Sequence, residues 1–189
     1  MKTCVLILAM VLGFATSTHA EVVESLSEIF YDVPVQARQT VLSSLNSATP
    51  IRQDGKVFHG YTRWGVKWNF RWNDAGGTCR MTSVSVDVSG TITMPRLTGG
   101  DATQQAAFDR YAVALKRHEL GHFDIGREAA GAIDRALTSL PPMSSCAELE
   151  KSANSAASQL LEAHQARERR YDINTEHGRT QGARYELLK

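Results

Sequence analysis

The sequence predicts an α+β domain in which a small antiparallel sheet packs on a long helix, with a second helix after it. Three observations lead there. Residues 21 to 98 are rich in Val, Thr, Trp, Gly and Ser, which favour strands; residues 101 to 170 are rich in Ala, Leu, Gln, Glu and Arg, which favour helices. In the first segment apolar residues fall on alternate positions, and in the second they recur at near-helical spacing. The chain is one domain's worth, long enough to bury a core, and no repeat or linker divides it.

Residues 1 to 20, MKTCVLILAMVLGFATSTHA, read as a secretory signal peptide: Lys2 is the positive start, Val5 to Ala15 is almost wholly apolar, and Thr18-His19-Ala20 is a small-x-small cleavage site. The apolar core is too short for a stable bilayer span. Cys4 precedes that core, where a lipid-bearing cysteine would have to follow it. The expectation is export to the periplasm or the medium with no stable membrane anchor, leaving residues 21–189 as a single domain.

The elements of that domain follow in order. VPVQARQTVLSSLNSATP, residues 33 to 50, reads as a short helix ended before Pro50. Trp64, Val66, Trp68, Phe70 and Trp72 alternate, as do Val84, Val86 and Val88, so each run is a strand with one buried face. The tryptophans are expected to pack in the core. Asp74-Ala75-Gly76-Gly77 between the runs is a hairpin turn. Thr98-Gly99-Gly100-Asp101 breaks the sheet, and Asp101 caps one long helix over about 102–138, bent near Gly121 or Gly126. Leu140-Pro-Pro-Met ends it. A second helix runs from Cys146 to Arg170, with Leu149, Ala153, Ala156, Leu160 and Ala163 as its apolar stripe. The tail YDINTEHGRTQGARYELLK is expected to be extended and to lie over the domain.

With Cys4 removed, Cys79 and Cys146 are an even pair in an oxidising compartment. A disulfide between them would close a long loop and stabilise by roughly 2–4 kcal/mol. The net charge of +1 argues against a nucleic-acid partner, which needs a basic face. The cluster ARERR at 166–170 contains a Glu and reads as a solvated helix face.

The chemistry concentrates in RHELGHFD, residues 117 to 124, in the middle of the predicted long helix. On a helix, positions i and i+4 share a face, so His118 and His122 can aim at one point. Zinc takes imidazole nitrogen at about 2.0–2.1 Å. Glu119, rotated by one residue, can reach a water there as general base without ligating. Given the chain's histidine and glutamate content, chance gives H-E-x-x-H in roughly one shuffled chain in a hundred. A catalytic zinc site needs a third protein ligand. Glu128, Glu148, Glu150, Glu162, His164, Asp172 and His177 are available downstream. Glu128 is displaced along the same helix, and His164 is a helix-surface position. His177 sits in a tail that can fold back.

The blocks YDVPV, G-Y-T-x-W at 60–64, G-G-T-C at 76–79, T-I-T-M-P at 91–95, HELGHFD and Y-D-x-x-T-x-H-G-x-x-Q-G-A at 171–183 resemble a family of predicted secreted bacterial zinc-dependent proteases, domain of unknown function 922. The resemblance covers roughly 30 to 184 and implies a bacterial, exported protein of zincin-like fold. Two distant motif blocks make sense if they meet in space. On that basis His177 is the expected third zinc ligand, with Asp172 the alternative. Tyr171 is then a candidate oxyanion donor. Asp124 is a candidate to hold the outer ring nitrogen of a ligand histidine.

The expected function is that of an exported zinc metallopeptidase cleaving a peptide or protein substrate, with Glu119 and Tyr171 catalytic and His118, His122 and His177 holding the metal. The alternatives are a zinc- or protein-binding module that hydrolyses nothing, and a zinc amidase of the cell wall.

Overall fold

The computed structural model describes residues 22–36 and 38–188; the signal-peptide reading lies outside the described residues. The chain runs β1 (Val22–Val35), α1 (Val41–Ala48), β2 (Arg52–Gln53), β3 (Lys56–Val57), β4 (Tyr61–Asp74), β5 (Cys79–Gly99), α2 (Ala102–Thr138) and α3 (Cys146–Thr175). Two 3-10 turns follow, at Arg179–Gln181 and Tyr185–Leu188. The class is α+β: the described residues form one three-stranded sheet, a small hairpin of β2 and β3, and three α-helices.

The sheet order is β1-β5-β4, with β4 antiparallel and β1 parallel to β5. The sheet is therefore mixed, which corrects the expected antiparallel one. Period-two alternation reports a buried face and carries no direction. The long connection through α1, the small hairpin and β4 gives β1 the length to return in parallel. The expected helix over 33–50 is also trimmed. Val33-Pro34-Val35 belongs to β1, because the residue before a proline favours extended backbone. α1 begins only at Val41, where Thr40 Oγ1 accepts from the Ser43 N–H at 3.1 Å.

α2 lies along one face of the sheet. It starts on a capping box, in which the Asp101 side chain accepts from the Gln104 N–H at 2.8 Å and the Gln104 side chain accepts from the Asp101 N–H at 3.0 Å. Val86 and Val88 of β5 pack with Phe123, Ala130, Ile133 and Leu137 of α2 and with Ala153 and Ala157 of α3. Gly90 makes room for the aromatic knob: a Cβ there would come within 2.5 Å of the Phe123 ring. The helix runs unbroken through Gly121 and Gly126. These glycines are sites of close approach. A Cβ at Gly126 would meet the Trp64 ring at 2.8 Å, and one at Gly121 would overlap the Tyr171 hydroxyl.

Trp64 and Trp68, each partly buried, pack against the core as expected, and their indoles also tie β4 to α3; Trp72, expected to pack with them, is exposed instead. Trp64 Nε1 donates to Glu168 Oε1 at 2.9 Å, and Trp68 Nε1 donates to Asn154 Oδ1 at 3.0 Å. The Cys79–Cys146 disulfide joins the start of β5 to the start of α3, with Cα atoms 5.0 Å apart. Paired backbone hydrogen bonds between Cys79 and Met143 reinforce the junction.

The tail is compact where an extended segment was expected. α3 continues to Thr175, and the remainder coils into the two 3-10 turns. It does lie over the domain: Ala183 and Leu188 are buried in the core formed by Val33, Leu45, Ile92, Phe108 and Tyr111. Among the described residues no helix is long and apolar enough to cross a membrane.

Candidate metal centre

The sequence brings three ligand atoms to one point by two local rules. His118 and His122 lie one turn apart on α2 and share a face. Asp172 lies near the end of α3, which crosses that face. His118 Nε2 and His122 Nε2 stand 3.2 Å apart; Asp172 Oδ1 is 3.2 Å from the first and 3.1 Å from the second. Three donors on a tetrahedral zinc with bonds of about 2.0–2.1 Å stand about 3.3 Å apart. Two imidazoles and a carboxylate are a donor set that can hold a divalent metal ion, and the separations are those a zinc ion would impose.

The tautomer fits as well. His118 Nδ1 lies 3.0 Å from Gln181 Oε1, an acceptor, so Nδ1 carries the hydrogen and Nε2 keeps its lone pair for the cluster. His122 Nδ1 is buried and 3.4 Å from Glu168 Oε1, an ion-pair distance without hydrogen-bond geometry. Both histidines are almost fully buried, and Asp172 is partly exposed. Burial alone would lower the His122 pKa, but the Asp172 and Glu168 carboxylates outweigh it and bring the pKa up to about 9. Burial pushes Asp172 up, and the hydrogen bonds of His118 and His122 more than reverse this, holding it well below the usual carboxylate range.

Glu119 is buried beside the triad. Thr62 Oγ1 lies 2.8 Å from Glu119 Oε2 and 2.9 Å from the Glu119 carbonyl, so β4 pins the carboxylate to α2. Burial raises its pKa, and the Thr62 hydrogen bond offsets part of the rise. Gly60 leaves the other oxygen room, since a Cβ there would come within 2.5 Å of Glu119 Oε1. A cavity of about 290 Å³ opens over the cluster, lined by Phe58, Gly60, Glu119, His122, Asp172 and His177 among others.

A family model described as "Bacterial protein of unknown function (DUF922)" matches residues 29–178, from within β1 to the turn after α3. The chain belongs to the DUF922 family. Comparisons with curated proteins and with solved structures find no match.

The DUF922 tail motif now has a structural account. Tyr171 stacks on His118, Asp172 completes the triad, and Thr175 Oγ1 donates to the Tyr171 carbonyl at 2.8 Å. Glu176, His177 and Gly178 all have positive φ, at 49°, 51° and 85°. That left-handed run stops α3 and turns the chain back over His118. Gly178 is needed twice, for its φ and because a Cβ would meet the His118 side chain at 3.0 Å.

The structure sorts the predicted site residues. Asp172, the alternative ligand, is in the triad. His177 stands beside it, half exposed, with Nδ1 3.3 Å from Asp172 Oδ1 and its ring against Phe58. The Tyr171 hydroxyl donates to the His118 carbonyl at 3.2 Å and accepts from Gln181 Nε2 at 3.0 Å, so it braces the back of the site. Asp124 lies on an exposed face, 3.2 Å from Arg127 Nη1. Gln181, and not Asp124, lies against the outer nitrogen of His118, and Glu168 is nearest to that of His122. Glu128 pairs with Arg167, and His164 donates to the Leu160 carbonyl of its own helix at 2.8 Å. Glu168 was hidden in the ARERR cluster; its spacing of four from Asp172 is the signal that the two share a face of α3.

Proposed function

We propose that this protein is an exported, periplasmic or extracellular zinc metallopeptidase that hydrolyses peptide bonds. One observation carries the reading: His118, His122 and Asp172 converge beside a buried Glu119 on the floor of an open cavity. The ligand set in this reading is His118, His122 and Asp172. Zinc bound there would supply Lewis acidity toward a carbonyl oxygen and a water of lowered pKa.

This chain's own residues do the rest. Glu119 has the position and the raised pKa of a general base, taking a proton from water and passing it to the leaving amine. Thr62 fixes the oxygen that need not move. Gln181 and Glu168 orient the imidazoles from behind. His177, on the rim beside Asp172, is available to donate to a substrate carbonyl from its outer nitrogen. A long helix bearing the motif under a small sheet supports a zincin-like assignment.

The test is zinc content of the protein comprising residues 21–189, followed by cleavage of a peptide mixture. About one zinc per chain, lost in His118→Ala, is expected. Glu119→Gln should keep the zinc and lose cleavage. Zinc with no cleavage of any peptide would point to a binding module, and no zinc after reconstitution would end the reading.

A further inference from the structure

Phe58, Asp172 and His177 form a wall with a cavity on each side. One is the cavity over the triad. The other, of about 420 Å³, reaches Val57, Ile173 and Tyr185. Its walls are mixed, and the apolar part of them is open to solvent. Ile173 is 72 % exposed and Tyr185 is 46 % exposed. Ile173 immediately follows the ligand Asp172, so α3 presents an uncovered isoleucine about 100° round the helix from the triad. An isoleucine left so exposed adds little to folding.

Several of the polar groups around this cavity are paired within the protein. At its floor the Tyr111 hydroxyl lies 2.7 Å from His59 Nδ1, and Asn46 Oδ1 lies 2.9 Å from His59 Nε2. At its rim Arg179 pairs with Glu176 at 3.0 Å and Glu186 at 3.3 Å. A guest side chain reaching Val57, Ile173 and Tyr185 meets apolar surface that an apolar group covers at no loss of hydration, while the paired His59, Tyr111, Glu176 and Arg179 offer a charged one little in return for its water.

We infer that this second cavity is a specificity subsite seating a large apolar side chain, aromatic or branched aliphatic, of a peptide whose adjoining bond lies over the triad. The shared wall supplies the adjacency, since the carboxylate facing the metal position also lines the subsite. The inference rests on the metallopeptidase reading for its choice of a peptide as the occupant.

The test separates subsite from turnover. Zinc-loaded Glu119→Gln protein is titrated with capped pentapeptides that differ only at the central residue, Ala, Leu, Phe or Asp, and binding is followed by calorimetry. The Leu and Phe peptides should bind at least roughly tenfold more tightly than the Ala and Asp peptides. That preference should fall below about twofold in Ile173→Ser, whose exposed position leaves the fold intact by circular dichroism, and in Tyr185→Ser. Equal affinities, no binding, or a preference that survives both substitutions overturns the subsite. A preference that is present while the wild-type protein cleaves nothing overturns the hydrolase and leaves the subsite standing.

Discussion

The Tyr171 ring lies parallel to the His118 ring, with planes 10° apart and centroids 5.1 Å apart, and its hydroxyl bonds to the His118 backbone carbonyl at 3.2 Å. One residue therefore braces both the side chain and the main chain of a candidate ligand. Tyr171→Phe should keep the stack and cost less than about tenfold in zinc affinity. Tyr171→Ala should cost about 10- to 100-fold, the usual effect of removing a group that orients a ligand. Competition against a chelating dye measures both. A Tyr171→Phe protein that keeps zinc but loses turnover by about 100-fold or more would restore the hydroxyl to the oxyanion role.

Asp172 and His177 make opposite predictions. Asp172 Oδ1 sits 3.1–3.2 Å from the Nε2 atoms of His118 and His122, while His177 reaches, of these three residues, the carboxylate, at 3.3 Å. Asp172→Ala should lose stoichiometric zinc after dialysis. His177→Ala should retain it and show its defect, about 100-fold, in turnover. Metal loss in His177→Ala with retention in Asp172→Ala would invert the ligand assignment.

These contrasts show what the sequence made legible. The spacing of His118, Glu119 and His122 implies a shared helix face because helical period is local, and α2 runs over the expected 102–138 for the same reason. The Cys79–Cys146 pair followed from parity and from the compartment the sequence led us to expect. The direction of β1 was not legible, because alternation is identical for parallel and antiparallel strands. That Asp172, rather than His177, stands with both His118 and His122 was not legible either. It depends on where α3 stops, and that is set by three consecutive residues at positive φ, two of them not glycine. Local composition does not announce such a turn; contact with His118 holds it in place.

Gly121 sets two effects against each other. Alanine at a helix interior gains about 1 kcal/mol over glycine. Here the added methyl would overlap the Tyr171 hydroxyl, which is pinned by two hydrogen bonds. Over-packing costs about 1–3 kcal/mol, so Gly121→Ala should be a net loss in urea denaturation and should weaken zinc binding. Gly65→Ala, in β4 with nothing within 4 Å of the new methyl, is the unhindered control and should be unchanged or stabilised by up to about 1 kcal/mol. A stabilised Gly121→Ala with unchanged zinc affinity would mean that Tyr171 can move freely.

His59 should make stability depend on acid. Burial lowers its pKa from 6.5 to about 4. Its two nitrogens bond the Tyr111 hydroxyl and Asn46 Oδ1, and its carbonyl accepts from the Tyr31 hydroxyl at 2.9 Å. The neutral ring is the one the fold accepts, with Nε2 donating and Nδ1 accepting. The unfolded chain binds a proton near pH 6.5, and the folded chain does so only near pH 4. Stability from this residue is therefore complete above about pH 6.5 and drains away as the pH falls toward 4, by up to about 3 kcal/mol. His59→Gln can keep the bond to Asn46 and cannot titrate, so its stability should change less over that window. Urea denaturation of the metal-free proteins at pH 7.5 and 4.5 measures the difference. His122 and Asp172 titrate in both proteins and cancel in the comparison. Equal acid losses in the two proteins would show that the buried ring does not set the acid limb.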